Sequence, residues 1–113
     1  MAYDEALAER FRDAIGGVAG TSEKRMMGGV CFLVNGNMVG GADRSREGVG
    51  RFMFRVGKDS ENKAAELPNG EPMVMGGRRM SGLFFVAEDD CDDATFKNWL
   101  SLALSHALSL APK

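Results

Sequence analysis

The segment Lys24 to Gly41, KRMMGGVCFLVNGNMVGG, leaves the chain the fewest folding options. Its Asn35-Gly36 pair is flanked on both sides by apolar runs. Both residues tolerate the positive φ that a two-residue type I′ turn demands, so the segment reads as a β-hairpin. Val30-Cys31-Phe32-Leu33-Val34 is a continuous apolar strand, as a central strand would be. Asn37 to Ala42 returns beside it. Gly40-Gly41 within that return strand points to a bulge or a close approach of backbones. A chain with this hairpin near its middle is built around an antiparallel sheet.

The flanking elements follow from periodicity. Tyr3, Leu7, Phe11, Ala14 and Ile15 share one face of a first helix, with Asp4 as its N-cap and Gly16-Gly17 as its stop. Glu23 to Met27 is a strand before the hairpin. Asp43 to Gly50 is a polar loop. Arg51 to Val56 alternates: Phe52, Phe54 and Val56 point one way, and Arg51, Met53 and Arg55 point the other. Lys58 to Leu67 reads as a short helix closed by Pro68 and Gly70. Met73 to Met75 and Leu83 to Val86 read as strands, the latter buried. Asp93 to Leu110 is a last helix, on which Phe96, Leu100, Ala103, Ala107 and Leu110 form a stripe. Trp99 flanks the stripe on one side; Leu104 and Leu108 widen it on the other. This arc exceeds the roughly 100° needed to lie on one sheet, so Trp99, Leu104 and Leu108 are candidates for a second packing face or a subunit contact.

The order is therefore α-β-β-β-β-α-β-β-α. It predicts an α+β fold of two layers, an antiparallel sheet of about six strands with helices on one face. A length of 113 residues predicts a single domain over 1–113. The N-terminus is acidic and amphipathic, unlike a signal peptide, and no apolar run is long enough for a membrane span. Two cysteines without a C-x-x-C motif fit a reducing compartment. These features predict a cytoplasmic protein.

Net charge is -2, which disfavours direct nucleic-acid binding. The charge is uneven: residues 22–86 carry ten basic and seven acidic groups, while both ends are acidic. Lys24, Arg25, Arg51, Arg55, Arg78 and Arg79 lie on or beside strands. Arginine suits bidentate recognition of carboxylate or phosphate. Lys24, Arg55, Arg78 and Arg79 are therefore the candidate contacts for an anion or an acidic partner. Seven internal methionines fall in the sheet half, where they are expected to fill core gaps.

No reactive constellation emerges. The four Gly-Gly pairs lack the P-loop and dinucleotide-binding spacings and read as turns and bulges. His106, the single histidine, has no sequence tie to Cys31. The acidic run Glu88 to Asp93 lacks EF-hand spacing and fits an N-terminal cap for the last helix. No catalytic residue, cofactor or metal is expected.

Met26, Gly28-Gly29, Phe32, Asn35-Gly36 and Met38 together resemble the signature of the TfoX N-terminal domain family. The opening MAYDEALAERFRDAI is similar to that family's first helix. Arg55-Val56, Gly77-Arg78 with Met80, and the final helix around Trp99 extend the resemblance over essentially the whole chain. It implies a small α+β domain, a homodimer, and kinship with two-domain competence regulators that control DNA-uptake genes, here without their second domain. The combined expectation is a non-enzymatic protein-interaction or regulatory domain with a partner in transcription control. The alternative is a binder of a small anionic ligand through sheet-face arginines.

Overall fold

Asn35 and Gly36 adopt φ of 53° and 82°, and the hairpin closes on them with Val34 opposite Asn37. The computed structural model describes residues 5–26, 29–45 and 47–113. Helix α1 spans Glu5–Ala14, followed by strands β1 (Thr21–Met26), β2 (Gly29–Val34), β3 (Asn37–Arg44) and β4 (Gly50–Arg55). A 3-10 turn at Lys58–Ser60 runs into the short helix α2, Glu61–Ala65. Strands β5 (Gly70–Met75) and β6 (Arg78–Ala87) form a second hairpin, and α3 occupies Asp93–Ser109. The six strands make one antiparallel sheet in the order β1-β2-β3-β4-β6-β5. This is the expected α+β architecture and element order.

Both long helices pack on one face of the sheet. Leu7, Ala8, Phe11 and Ile15 of the α1 region bury there with Phe96, Trp99, Leu100, Ala103 and Ala107 of α3. Phe11 lies at the centre. Its ring stacks on Phe32 at 4.8 Å and on Phe54 at 5.7 Å, and meets Phe96 edge-on at 5.5 Å. Aromatic pairs in these geometries add to the free energy of simple burial. Gly40 makes room both for β4 and for this stack, since a Cβ there would collide with the Met53 backbone carbonyl and stand 3.0 Å from the Phe11 ring. The register shifts between Phe32 and Leu33 at the same place, so Gly40 marks both a bulge and a close approach.

Several expectations are corrected. Ala8, not Ala14, is buried on α1, while Tyr3 and Asp4 fall outside the described residues. Pro72 sits within β5, which is longer than Met73 to Met75; β5 is an edge strand, where a missing N–H costs little. Of the two roles open to Trp99, a second packing face or a subunit contact, the structure shows packing: it is fully enclosed within the subunit, between Phe54 at 5.9 Å and Phe84 at 5.3 Å, with Nε1 donating to the Pro68 carbonyl at 3.1 Å. That burial removes it as a contact to another subunit. Met38, Met53, Met73 and Met80 are not core residues: the first three are half-buried and Met80 is exposed. The interior is filled by phenylalanine, and Asn37, buried among it, is satisfied by donating to the Ala111 carbonyl at 3.0 Å.

Candidate functional site

Both long helices lie on one face, and among the described residues no helix covers the other face of the sheet. Alternation along each strand decides what stands there. On β4, Phe52 and Phe54 go inward, so Arg51, Met53 and Arg55 go outward. On β6, Phe84 and Val86 are buried, whereas Leu83, Phe85 and Ala87 are only half-buried. The run Leu83-Phe84-Phe85-Val86 is therefore not buried on both sides, as its continuous apolarity had implied. Both of its faces are apolar, and only one is covered.

Strand register lines these outward residues into rows. One row crosses all six strands: Lys24 opposite Cys31, Cys31 opposite Gly41, Gly41 opposite Met53, Met53 opposite Phe85, and Phe85 opposite Glu71. A second row carries Gly29, Asp43, Arg51 and Ala87. Leu33 and Leu83 stand on the far side of the first row, on β2 and β6. The result is a largely apolar surface of Leu33, Met38, Met53, Leu83 and Phe85, with Arg55 set directly opposite Leu83, a cation at one sheet edge and an anion at the other.

Charge is held in place at the second row. Arg51 donates from Nε and one terminal nitrogen to the two carboxylate oxygens of Asp43, at 2.8 and 3.2 Å. The same guanidinium lies 3.8 Å above the Phe85 ring centre. A bidentate pair stacked on an aromatic ring is a planar, oriented charge, which lysine could not reproduce. Beside it a hollow of about 280 Å³ is bordered by Glu47, Val49, Asn69, Glu71, Phe85 and Asp90.

The four predicted anion contacts are not gathered into one site. Lys24 lies on β1 at one edge of the sheet; Arg78 and Arg79 lie on β6 at the hairpin with β5, the opposite edge. Arg79 is engaged with Glu61 at 2.6 Å. Arg55 enters a cavity, a hollow of about 320 Å³ lined also by Gly57, Lys58, Asp59, Ser81 and His106. Burial holds the His106 imidazole below its ordinary pKa, and the Arg55 cation adds to the effect. Leu104 is half-buried against the core and Leu108 is exposed, so the two candidates that widened the α3 stripe have different surroundings.

The acidic run before α3 does what its position suggests: Asp92 Oδ1 accepts from the Thr95 backbone N–H at 2.8 Å, which caps the helix and lowers the Asp92 pKa. Cys31 and Cys91 are free and buried. Burial raises the Cys31 thiol and pushes Cys91 up to about 11, so both are protonated at neutral pH. Among the described residues, no three His, Cys, Asp or Glu side chains converge into a metal-holding group, and no helix is long and apolar enough to cross a membrane.

Sequence reasoning missed Leu33, Leu83, Phe85 and Glu71. The alternation in Arg51 to Val56 identified an outward face, but the strands that extend it are joined by pairings between distant segments, and no local pattern announces those.

The family model for the TfoX N-terminal domain matches residues 13–107. No curated protein and no solved structure gives a significant match. The matched span takes in the Asn-Gly hairpin, the outward strand β4, the second hairpin and nearly all of α3. The chain belongs to the TfoX N-terminal domain family.

Proposed function

We propose that this domain works by binding rather than by catalysis, and that its uncovered sheet face is the surface that binds. The observation that carries the reading is the outward strip of Leu33, Met53, Leu83 and Phe85, bordered by Lys24, Glu71 and the Asp43–Arg51 pair. Contiguous apolar surface with a charged rim is the usual anatomy of a protein–protein contact. Self-association belongs to the same reading. Family membership supports a regulatory role, and kinship with competence regulators points to a partner in transcription control, reached in the cytoplasm. Protonated, buried thiols and the lack of a catalytic motif in the sequence support binding over chemistry.

Affinity capture with the wild-type chain and with Met53→Lys tests this. Met53 is outside the core, so the variant folds. Proteins retained by the wild type and lost by the variant support the reading; identical captured sets contradict it.

A second reading rests on the hollow at Arg55. Lys58, Ser81 and His106 converge there from three elements, a donor set suited to a carboxylate or phosphate. A thermal shift with inorganic phosphate or citrate that disappears in Arg55→Gln supports it; no shift at millimolar ligand contradicts it.

A further inference from the structure

The outward face is complementary to itself. Strands lie about 4.8 Å apart, so the row Lys24, Cys31, Gly41, Met53, Phe85, Glu71 spans roughly 24 Å from edge to edge. We propose that a second copy of this chain covers the face, related by a two-fold axis that runs parallel to the strands between β3 and β4. This proposal rests on the reading of the face as a binding surface and names its occupant.

The rows select that axis. Rotation about a line along the strands reverses each row. Lys24 then faces the partner subunit's Glu71, Cys31 faces the partner's Phe85, and Gly41 faces the partner's Met53. Each large side chain meets a small one, and the cation meets the anion. Because the contact is isologous, every pair occurs twice. The second row obeys the same operation without being required to: Asp43 and Arg51 straddle the axis, so Asp43 faces the partner's Arg51. The four charges alternate in sign around the axis. Leu33, beyond the first row, faces the partner's Leu83, and in the same row Met38 faces the partner's Arg55, whose aliphatic stem packs on the thioether while its head reaches solvent at the end of the face. The alternative axis, across the strands, sets Lys24 over Lys24, Phe85 over Phe85 and Glu71 over Glu71, and gains none of this. Two twisted sheets in face-to-face contact sit about 10 Å apart with strands within about 30° of each other, so the pairs remain neighbours after the twist is allowed for. The hollow beside Glu71, bordered also by Glu47 and Asp90, leaves room for the incoming lysine head.

A charge exchange tests the geometry. Lys24 and Glu71 stand on opposite edges of one sheet, too far apart to pair within a chain. Sedimentation equilibrium of the full chain at low salt should show a dimer for the wild type. Lys24→Glu replaces two attractive pairs with two repulsive ones and should raise the dissociation constant about tenfold, as should Glu71→Lys. The double variant K24E/E71K should return to within about threefold of the wild type, with circular dichroism unchanged throughout. A wild type that stays monomeric at every concentration overturns the proposal. So does a dimer indifferent to Lys24→Glu, or one that the double variant fails to restore. Those results leave the broader reading standing if Met53→Lys still loses its captured proteins, and they remove it if it does not.

Discussion

Met53 and Phe54 are consecutive residues on opposite faces of β4, and substitution of each by alanine separates the core from the outward face. Phe54 is fully enclosed and touches the rings of Phe11, Phe96 and Trp99 at 5.7, 5.5 and 5.9 Å. Its removal forfeits the transfer free energy of a benzyl group and leaves a cavity, about 3–5 kcal/mol in total. A domain of this size has a stability of about 5–15 kcal/mol, so Phe54→Ala is on the edge of unfolding. Its melting temperature should fall by at least about 12 °C, at about 4 °C or more per kcal/mol. Met53 is half-buried and faces Gly41 and Phe85 across an open surface. No closed cavity forms on its truncation, and half the burial of a methionine amounts to about 1 kcal/mol. Urea titration followed by far-ultraviolet circular dichroism, at concentrations where any dimer has dissociated, measures both losses. The difference should exceed about 2 kcal/mol. Losses equal within about 0.5 kcal/mol would refute the assignment of Met53 to an uncovered face.

Two further outcomes follow from particular contacts. A Cβ at Gly70 would collide with the outer edge of the Trp99 indole, so Gly70→Ala should cost about 1–3 kcal/mol; Trp99→Phe clears that space, and the double variant should be at least about 1 kcal/mol more stable than the summed single losses predict, whereas additivity in the same urea titration contradicts the contact. The His106 pKa lies below its ordinary 6.5 in the folded chain, so the unfolded chain takes up the proton first as pH falls. Stability should therefore be flat with respect to this group above neutrality and decline once the pH drops below about 6.5 towards the lower folded value, and His106→Gln should remove that part of the slope in urea midpoints measured between about pH 5 and pH 8.

How far the chain could be read without its coordinates depends on whether each feature is local. Asn35-Gly36 specifies its own turn through backbone conformation, so the hairpin and its register at Val34 and Asn37 were legible. The alternation of Arg51 to Val56 and the Asp92 cap are similarly local. The β6 run was misread because period two cannot be seen where Leu83, Phe84, Phe85 and Val86 are all apolar. The methionines were misplaced because flexible thioethers suit a core gap and an adaptable surface equally well, and composition does not separate the two. A helical wheel puts Trp99 at the margin of α3, because it shows where a residue points but not how the Pro68 turn and Gly70 reach round to meet it. The outward face itself depends on β6 lying between β4 and β5, a pairing of segments distant in sequence. Lys24 and Glu71 could be recognised as the two ends of one row only from that order.

On the proposed function, this domain does its work through the outward side of its sheet. Methyl resonances of protein ¹³C-labelled at its methionine and leucine methyls report on that side directly, because Met38 and Met53 are half-buried there and are assignable by single substitution. In dilute solution a soluble paramagnetic probe should broaden the Met53 methyl signal. As the protein is concentrated, or as a captured partner is added, that signal should shift and become shielded while the Leu108 methyls at the end of α3 stay accessible. A Met53 signal that is shielded from the start, or one that never changes while α3 responds, would contradict the claim.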